Sequence, residues 1–126
     1  MLVVEDNENN VVLLRDFLTS EGYEVVVART GTEGVARAEA EPFDVILMDV
    51  QMPEMDGFEA TRRIRRLSRH RETTIIALTS FAMPGDRDKC VAAGMTDYMS
   101  KPLSLRALAQ LVKSSIRDRG RGALDG

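Results

Sequence analysis

The feature that most constrains the fold is an alternation of five short apolar runs with five segments of helical periodicity. The apolar runs are Leu2–Val4, Val25–Val27, Val45–Met48, Ile75–Leu78 and a weaker one at Asp97–Met99. Runs this short and continuous are typical of strands covered on both faces, as in a parallel sheet. Because a helical segment follows each run, the pattern predicts a doubly wound α/β sheet with right-handed crossovers.

Local signals delimit the predicted helices. Start signals are the capping-box pairs Thr30 with Glu33 and Asp56 with Glu59, together with Pro84 and Ser104, and stop signals are Gly22 and Gly94. The fourth helix has a narrow apolar face, so we expect it to pack loosely. The length of 126 residues fits one domain. We predict a domain over residues 1–117 and a disordered tail over residues 118–126, which have little to bury.

Charge and cysteine content limit the possible binding partners and the cellular compartment. The net charge of −3 gives no electrostatic footprint for nucleic acid or an anionic membrane surface. No apolar run approaches the roughly 20 residues that span a bilayer. Cys90 is the only cysteine, which excludes an intrachain disulfide and favours a cytoplasmic protein. The arginines between Arg62 and Arg71 are interpreted as a solvated helix face and loop.

Polar residues stand where the predicted strands end. Glu5 and Asp6 follow the first strand, Asp49 the third, Thr79 the fourth, and Lys101 the fifth. Open α/β sheets bind ligands beyond the carboxyl ends of their strands, so these side chains are predicted to converge on one rim. Three carboxylates together repel each other unless a cation lies among them, and Mg²⁺ suits such a set of oxygen ligands.

This combination predicts metal-assisted phosphoryl chemistry. A carboxylate can act as a nucleophile and form an aspartyl phosphate. Asp49 is the best candidate because a long loop follows it and can shape a pocket. Phosphoryl transfer depends on neutralising the phosphoryl oxygens, which the cation, the Lys101 ammonium and the Thr79 hydroxyl can do.

The residues at these strand ends resemble the receiver domain of response regulators from bacterial two-component and phosphorelay systems. The matching segments are Val3–Asn7, Leu47–Gly57, Ala77–Ser80 and Tyr98–Pro102. They occur in order, and the resemblance extends from Leu2 to about Ile116. It implies a flavodoxin-like (βα)5 sandwich with a five-stranded parallel sheet in the order 2-1-3-4-5.

The resemblance also implies roles for individual residues. Asp49 is expected to accept a phosphoryl group from a histidine kinase or a histidine phosphotransfer protein. Mg²⁺, for which Mn²⁺ can substitute, is expected to bind Glu5, Asp6, Asp49 and the backbone carbonyl of Gln51. Thr79 and Lys101 are expected to bind the phosphoryl oxygens.

A switch is implied as well. Thr79 is expected to move toward the phosphoryl group while Tyr98 turns inward, which changes the surface of the fourth helix, fifth strand and fifth helix, where an output target binds. Gln51 and Phe81 are expected to tune the phosphate lifetime, and the peptide bond before Pro102 is a candidate for the cis form. The protein is expected to be a monomer or a phosphorylation-dependent dimer.

Other functions compete with the switch. A haloacid-dehalogenase-like phosphohydrolase would use similar chemistry. That family has an Asp-x-Asp motif on its first strand, whereas here Asp49-Val50-Gln51 lies at the third strand and lacks the second acid. A flavin carrier is rejected because Glu5 and Asp6 would repel a flavin phosphate. We expect a stand-alone regulator; the alternative is a receiver module of a hybrid histidine kinase or a multidomain response regulator. His70, the only histidine, is predicted to lie in an exposed loop without a role as phosphoryl donor.

Overall fold

Five parallel strands form one sheet in the computed structural model, which describes residues 1–80 and 85–125, the last nine by their backbone alone. The strands are β1 (Leu2–Val4), β2 (Val26–Ala28), β3 (Val45–Asp49), β4 (Thr74–Thr79) and β5 (Asp97–Ser100). Their order is β2-β1-β3-β4-β5, and every pairing is parallel. The predicted flavodoxin-like α/β fold is therefore confirmed.

Helices cover both faces of the sheet. They are α1 (Glu8–Ser20), α2 (Gly31–Ala40), α3 (Gly57–Arg65), α4 (Asp86–Ala93) and α5 (Leu105–Asp125), with a 3-10 turn at Ser68–His70. Alternate residues of the strands face opposite layers: Ile46 and Met48 belong to one buried cluster, Leu47 to the other. None of the helices in the described part of the chain is long and apolar enough to cross a membrane.

Three of the predicted helix starts have the expected cap. Thr30, Asp56 and Ser104 accept hydrogen bonds from the backbone N–H of residues 33, 59 and 107, at 3.0, 2.9 and 3.2 Å. The reciprocal half of the capping boxes is absent. The Glu33 carboxylate accepts from the Arg29 N–H, and the Glu59 carboxylate pairs with two arginines of its own helix. Pro84 lies outside the described residues.

The edge strand β5 and the helix α4 before it bury few side chains. Three of the four β5 residues are exposed, and α4 buries only Cys90 and Ala93. The helix ends at Gly94, whose φ of 100° is the left-handed conformation that glycine adopts readily. The weak apolar signal of the fifth run thus belongs to an edge strand.

Two predictions about single residues are wrong. His70 is fully buried, not in an exposed loop: its Nδ1 lies 2.9 Å from Thr73 Oγ1 and its Nε2 lies 3.0 Å from the Ala38 carbonyl. Arg65 is half-buried and hydrogen-bonded rather than part of a solvated face. Each side chain bonds at least one carbonyl about 30 residues away, Ala38 for His70 and Gly94 for Arg65, and no local pattern indicates such a contact.

The predicted domain boundary at residue 117 falls inside α5. The backbone of α5 is helical to Asp125, whereas the sequence predicted a disordered tail from residue 118. The side chains from residue 117 onward, and residue 126 altogether, lie outside the described residues. The boundary itself stays a prediction.

Candidate functional site

The three predicted acids meet at the carboxyl rim of the sheet. Glu5 and Asp6 follow β1, Asp49 ends β3, and each offers a carboxylate oxygen within 4.8 Å of the others. Adjacent parallel pairing of β1 with β3 brings them together, since Val4 lies beside Met48. Glu5 and Asp49 are buried and Asp6 is exposed, so the cluster has a closed side and a side open to solvent.

Glu5 is held in place from the start of α1. Its Oε1 accepts hydrogen bonds from the Asn7 backbone N–H at 3.2 Å and the Asn10 side-chain amide at 3.3 Å. Its Oε2 is buried and has no hydrogen-bond partner among the described residues. A buried carboxylate oxygen without a donor is costly, and a cation is its natural complement.

Asp49 is a buried acid with a raised pKa. Only 1% of its surface is exposed, and burial raises the pKa of its carboxyl from 3.8 to about 6. The Gln51 N–H, which donates to Oδ1 at 3.0 Å, lowers this pKa, the Glu5 charge raises it, and Lys101 lowers it. A buried, solvent-shielded carboxylate with a raised pKa is typical of a functional acid.

Lys101 reaches the two buried acids from the end of β5. Its Nζ lies 3.3 Å from Asp49 Oδ1 and 3.5 Å from Glu5 Oε2, and 20% of its side chain is exposed. One ammonium thus faces two carboxylates, so the three acids retain excess negative charge. That excess favours a further cation in the cluster.

The remaining predicted residues differ in burial and in their place relative to the cluster. Thr79 is buried at the end of β4, beside Ser100 in the sheet. Tyr98 points outward, with 40% of its surface exposed. The Lys101–Pro102 peptide bond is cis. Gln51 is exposed at the rim, and Phe81 lies outside the described residues.

Close backbone packing fixes the loop between Asp49 and α3. A Cβ on Gly57 would lie 2.3 Å from the Asp49 carbonyl oxygen and 2.7 Å from the Val50 Cα. Only glycine permits this approach. The Gly57 N–H donates to the Val50 carbonyl at 3.2 Å, so the first turn of α3 lies directly against the end of β3.

Two positioning contacts at the rim were not predicted. Asn10 orients Glu5 from one turn into α1, and the Ser80 hydroxyl donates to the Gln51 carboxamide oxygen across the cluster. The polar residues at the start of α1 were a usable signal for the first contact. The second joins two loops of different strands, so no sequence pattern indicates it.

The donor set fits Mg²⁺. The ligand atoms are carboxylate oxygens, the hard donors that this ion prefers, and the exposed side leaves room for the waters that it retains. Glu5 Oε2 accepts no hydrogen bond from the described residues, and its ion pair with Lys101 is long and shared with Asp49, which leaves room for a cation beside it. There is no thiolate or imidazole in the cluster to favour a softer metal.

A buried carboxylate beside two further acids and a lysine, on the rim of a flavodoxin-like sheet, is the arrangement expected of a phosphoacceptor domain. Comparison of sequences narrows this class. Residues 1–113 match the response regulator receiver domain, and the chain belongs to that family. Its setting is two-component signalling, in which a histidine kinase is the phosphodonor.

Individual relatives agree with this assignment. The polar-differentiation response regulator DivK of Brucella ovis is 38% identical over 118 residues, which span 94% of this chain and 96% of DivK. The receiver domain of the sensor histidine kinase PA1611 from Pseudomonas aeruginosa PAO1 is 42% identical, with a TM-score of 0.85 over 91% of this chain and 94% of that one. Its structure has a magnesium ion coordinated in the active site cleft. The chemotaxis protein CheY4 of Vibrio cholerae is 33% identical, with a TM-score of 0.87 over 90% and 95% of the two chains.

Proposed function

We propose that Asp49 is the phosphoacceptor of this receiver domain. The observation that carries the proposal is the convergence of three carboxylate oxygens within 4.8 Å of one another, with the Lys101 ammonium 3.3 Å from Asp49 Oδ1. Asp49 is central in this arrangement because it contacts Lys101, receives a backbone hydrogen bond and lies beside both other acids. Asp6 is exposed and Glu5 is engaged by two donors, which leaves them better suited to hold a cation.

The donor in this proposal is a phosphohistidine of a histidine kinase or a histidine phosphotransfer protein. An Asp49 oxygen attacks the phosphorus, the O–P bond forms as the N–P bond breaks, and the electron pair leaves with the imidazole. Lys101 stays beside one phosphoryl oxygen, and the Thr79 hydroxyl donates to another. Bound Mg²⁺, or Mn²⁺ in its place, supplies positive charge for the remaining oxygen, held by Glu5, Asp6, Asp49 and the Gln51 carbonyl.

The stored phosphoryl group then biases a conformational equilibrium. Thr79 moves toward the new oxygens, and Tyr98, now exposed, turns into the vacated space. This changes the face formed by α4, β5 and α5, which we assign to an output protein. Gln51 and Phe81 set how water reaches the acyl phosphate, and hence its lifetime. For the oligomeric state, we propose either a monomer throughout or a dimer that forms on phosphorylation.

We further propose a stand-alone, cytoplasmic regulator that acts on protein partners and binds neither nucleic acid nor membrane. The match to DivK, which covers 96% of that protein, supports the stand-alone form. The likeness to a receiver domain of a sensor histidine kinase supports the alternative, a module of a larger protein. The mass of the native gene product on an immunoblot separates the two.

Intact-mass measurement after incubation with acetyl phosphate and Mg²⁺ tests the acceptor. We expect one added phosphoryl group on the wild type and none on Asp49→Asn. Asp56→Asn is the matched control, because it changes an exposed acid in the same loop and an asparagine still caps α3. An adduct on Asp49→Asn, or none on the wild type with excess donor, would refute the proposal. Continuous turnover of phosphomonoesters would favour a hydrolase instead.

A further inference from the structure

Helix α4 is attached to the rest of the protein unevenly along its length. Both of its buried residues, Cys90 and Ala93, lie in its second half, and residues 87–89 of its first half are exposed. Its first residue follows Gly85, which provides no side-chain cap. The other end is fixed by the left-handed cap at Gly94 and by the hydrogen bond from the Met95 N–H to the Cys90 carbonyl at 2.9 Å.

Arg65, the last residue of α3, reinforces this fixed end. Its Nε donates to the Gly94 carbonyl at 2.8 Å, and its Nη2 donates to Thr96 Oγ1 at 3.2 Å. Thr96 in turn is bound twice to Ile75: its hydroxyl accepts from the Ile75 N–H at 3.0 Å, and its N–H donates to the Ile75 carbonyl at 2.8 Å. A single guanidinium therefore ties the end of α4 and the entry to β5 to the first residues of β4.

The guanidinium itself has a rigid support. Its Nη1 donates to the His70 carbonyl at 2.8 Å, and the His70 ring is fully buried. That ring contacts the Ala38 carbonyl at the end of α2 and Thr73 before β4, and it stacks on Phe43 with an interplanar angle of 18°. Burial lowers the pKa of Arg65, but its planar guanidinium donates hydrogen bonds to three acceptors, which compensates for the lost hydration.

The two ends of α4 lie at opposite ends of the sheet strands. The helix follows β4, which ends at the acidic rim, and it leads back to the amino end of β5. Eight helical residues separate the two ends by about 12 Å. Tyr98 lies two residues beyond Thr96, directly after the fixed segment.

We propose that Arg65 is a positioning residue of the switch, which holds the carboxyl end of α4 as a pivot while the rim-side end of the helix and Tyr98 change position. The inference rests on the proposed phosphoacceptor function. An arginine is needed because the three acceptors are spread over two segments, the turn at His70 and the connection from Gly94 to Thr96, and a lysine ammonium cannot reach all of them at once. Without the pivot, a change at the rim would shift the whole helix and be transmitted poorly to β5.

Hydrogen exchange of the unphosphorylated protein tests the pivot first. In wild type we expect slow exchange for the Gly94, Met95 and Thr96 amides and fast exchange in the first turn of α4. Arg65→Gln and the milder Arg65→Lys should each speed exchange of those three amides, by about tenfold for Gln, since each loses charged hydrogen bonds. Arg66→Gln is the matched control, because it removes the same charge from an exposed side chain one residue further on. Equal exchange in all four proteins would overturn the pivot.

Tyrosine fluorescence tests the coupling to the switch. The chain has two tyrosines and no tryptophan, so a Tyr23→Phe background leaves Tyr98 as the only reporter. With beryllium fluoride and Mg²⁺ as a stable phosphoryl mimic, we expect the Tyr98 signal to shift in the background protein and its Arg66→Gln variant. In Arg65→Lys the shift should fall by half or more at equal adduct occupancy, measured by mass under native conditions.

The outcomes separate the pivot from the proposed function. A full Tyr98 shift in Arg65→Lys would overturn the coupling role, whatever its effect on stability. Absence of an adduct in the wild type would instead refute the acceptor function, and the exchange experiment would still decide whether Arg65 fixes the end of α4.

Discussion

Asp49 combines burial with a neighbouring negative charge, and both make its ionised form unfavourable. The pKa of about 6 in the folded protein exceeds the 3.8 of an unperturbed carboxyl, mainly because of burial. Between these values the folded protein binds more protons than the unfolded chain, so its free energy of unfolding falls as the pH rises through this window. The Asp49 carboxylate therefore destabilises the metal-free protein at neutral pH.

Asp49→Asn should accordingly stabilise the metal-free protein in a pH-dependent way. We expect little difference from wild type near pH 4 and a gain of roughly 2 kcal/mol above pH 6, where the wild-type carboxyl is ionised. Urea unfolding in EDTA between pH 4 and pH 7.5 measures it, and Mg²⁺ should reduce the gain by stabilising the wild type. A gain that is constant with pH, or that shrinks as the pH rises, would contradict this account of Asp49.

The identities of the rim residues could be predicted from the sequence, but the environments of other polar residues could not. Glu5, Asp49 and Lys101 stand directly after apolar runs, and the parallel topology alone brings strand ends together. His70 and Arg65 have no such marker. Their burial depends on carbonyl groups of α2 and of the turn after α4, which become neighbours only in the folded chain.

At the scale of elements, the strands and caps were predicted to within a residue or two because their signals are local. The first run coincides with β1, and β2 begins one residue later than the second run. The reciprocal half of the capping boxes failed because the Glu59 carboxylate forms ion pairs with Arg62 and Arg63 instead. The capping-box motif considers only the cap residue and the residue three positions later. It therefore cannot predict that arginines one turn further on compete for the glutamate.

The contact between α3 and the end of β3 is a further element-scale feature with a measurable consequence. Gly57→Ala would place a Cβ 2.3 Å from the Asp49 carbonyl oxygen, so the helix start must shift. We expect a loss of about 3 kcal/mol in the free energy of unfolding and weaker Mg²⁺ binding, because the loop that carries Gln51 moves with the helix. Urea titration and calorimetric Mg²⁺ titration measure the two effects.

A matched change elsewhere distinguishes steric overlap from a general helix effect. Ala36→Gly alters one methyl group at an exposed position of α2 and should cost about 1 kcal/mol without affecting Mg²⁺ affinity. If Gly57→Ala cost no more than this control, or left Mg²⁺ binding unchanged, the close approach of α3 to the end of β3 would not constrain the site.

At the scale of the whole molecule, the carboxyl and amino ends of the sheet differ in how well their polar groups are paired. The carboxyl rim concentrates three carboxylates beside one ammonium, and one buried carboxylate oxygen there accepts no hydrogen bond from the described residues, which suits the binding of a further cation. The amino end of the sheet is stabilised by the hydrogen bonds of His70 and Arg65. These bonds join α2, α3, β4 and the segment before β5. Stability is thus supplied away from the chemistry, so the rim can change without unfolding the domain.

This separation predicts that substitutions at the two ends act independently. His70→Ala should lower the free energy of unfolding by about 3 kcal/mol. The change leaves a cavity, and Thr73 and the Ala38 carbonyl each lose the imidazole as a hydrogen-bond partner. The length of β4, about 17 Å, separates this site from Asp49. The effects of His70→Ala and Asp49→Asn at pH 7 should therefore add to within about 0.5 kcal/mol in urea unfolding.

Glu5→Gln with Asp49→Asn is the contrasting pair, since the Glu5 charge acts directly on Asp49. Removing either charge relieves the same repulsion, so the double variant should gain clearly less than the sum of the two single variants. Non-additivity of similar size for the His70 and Asp49 pair would mean that strain at the rim reaches the amino end of the sheet. In that case the stabilising network would itself take part in the switch, instead of providing its fixed frame.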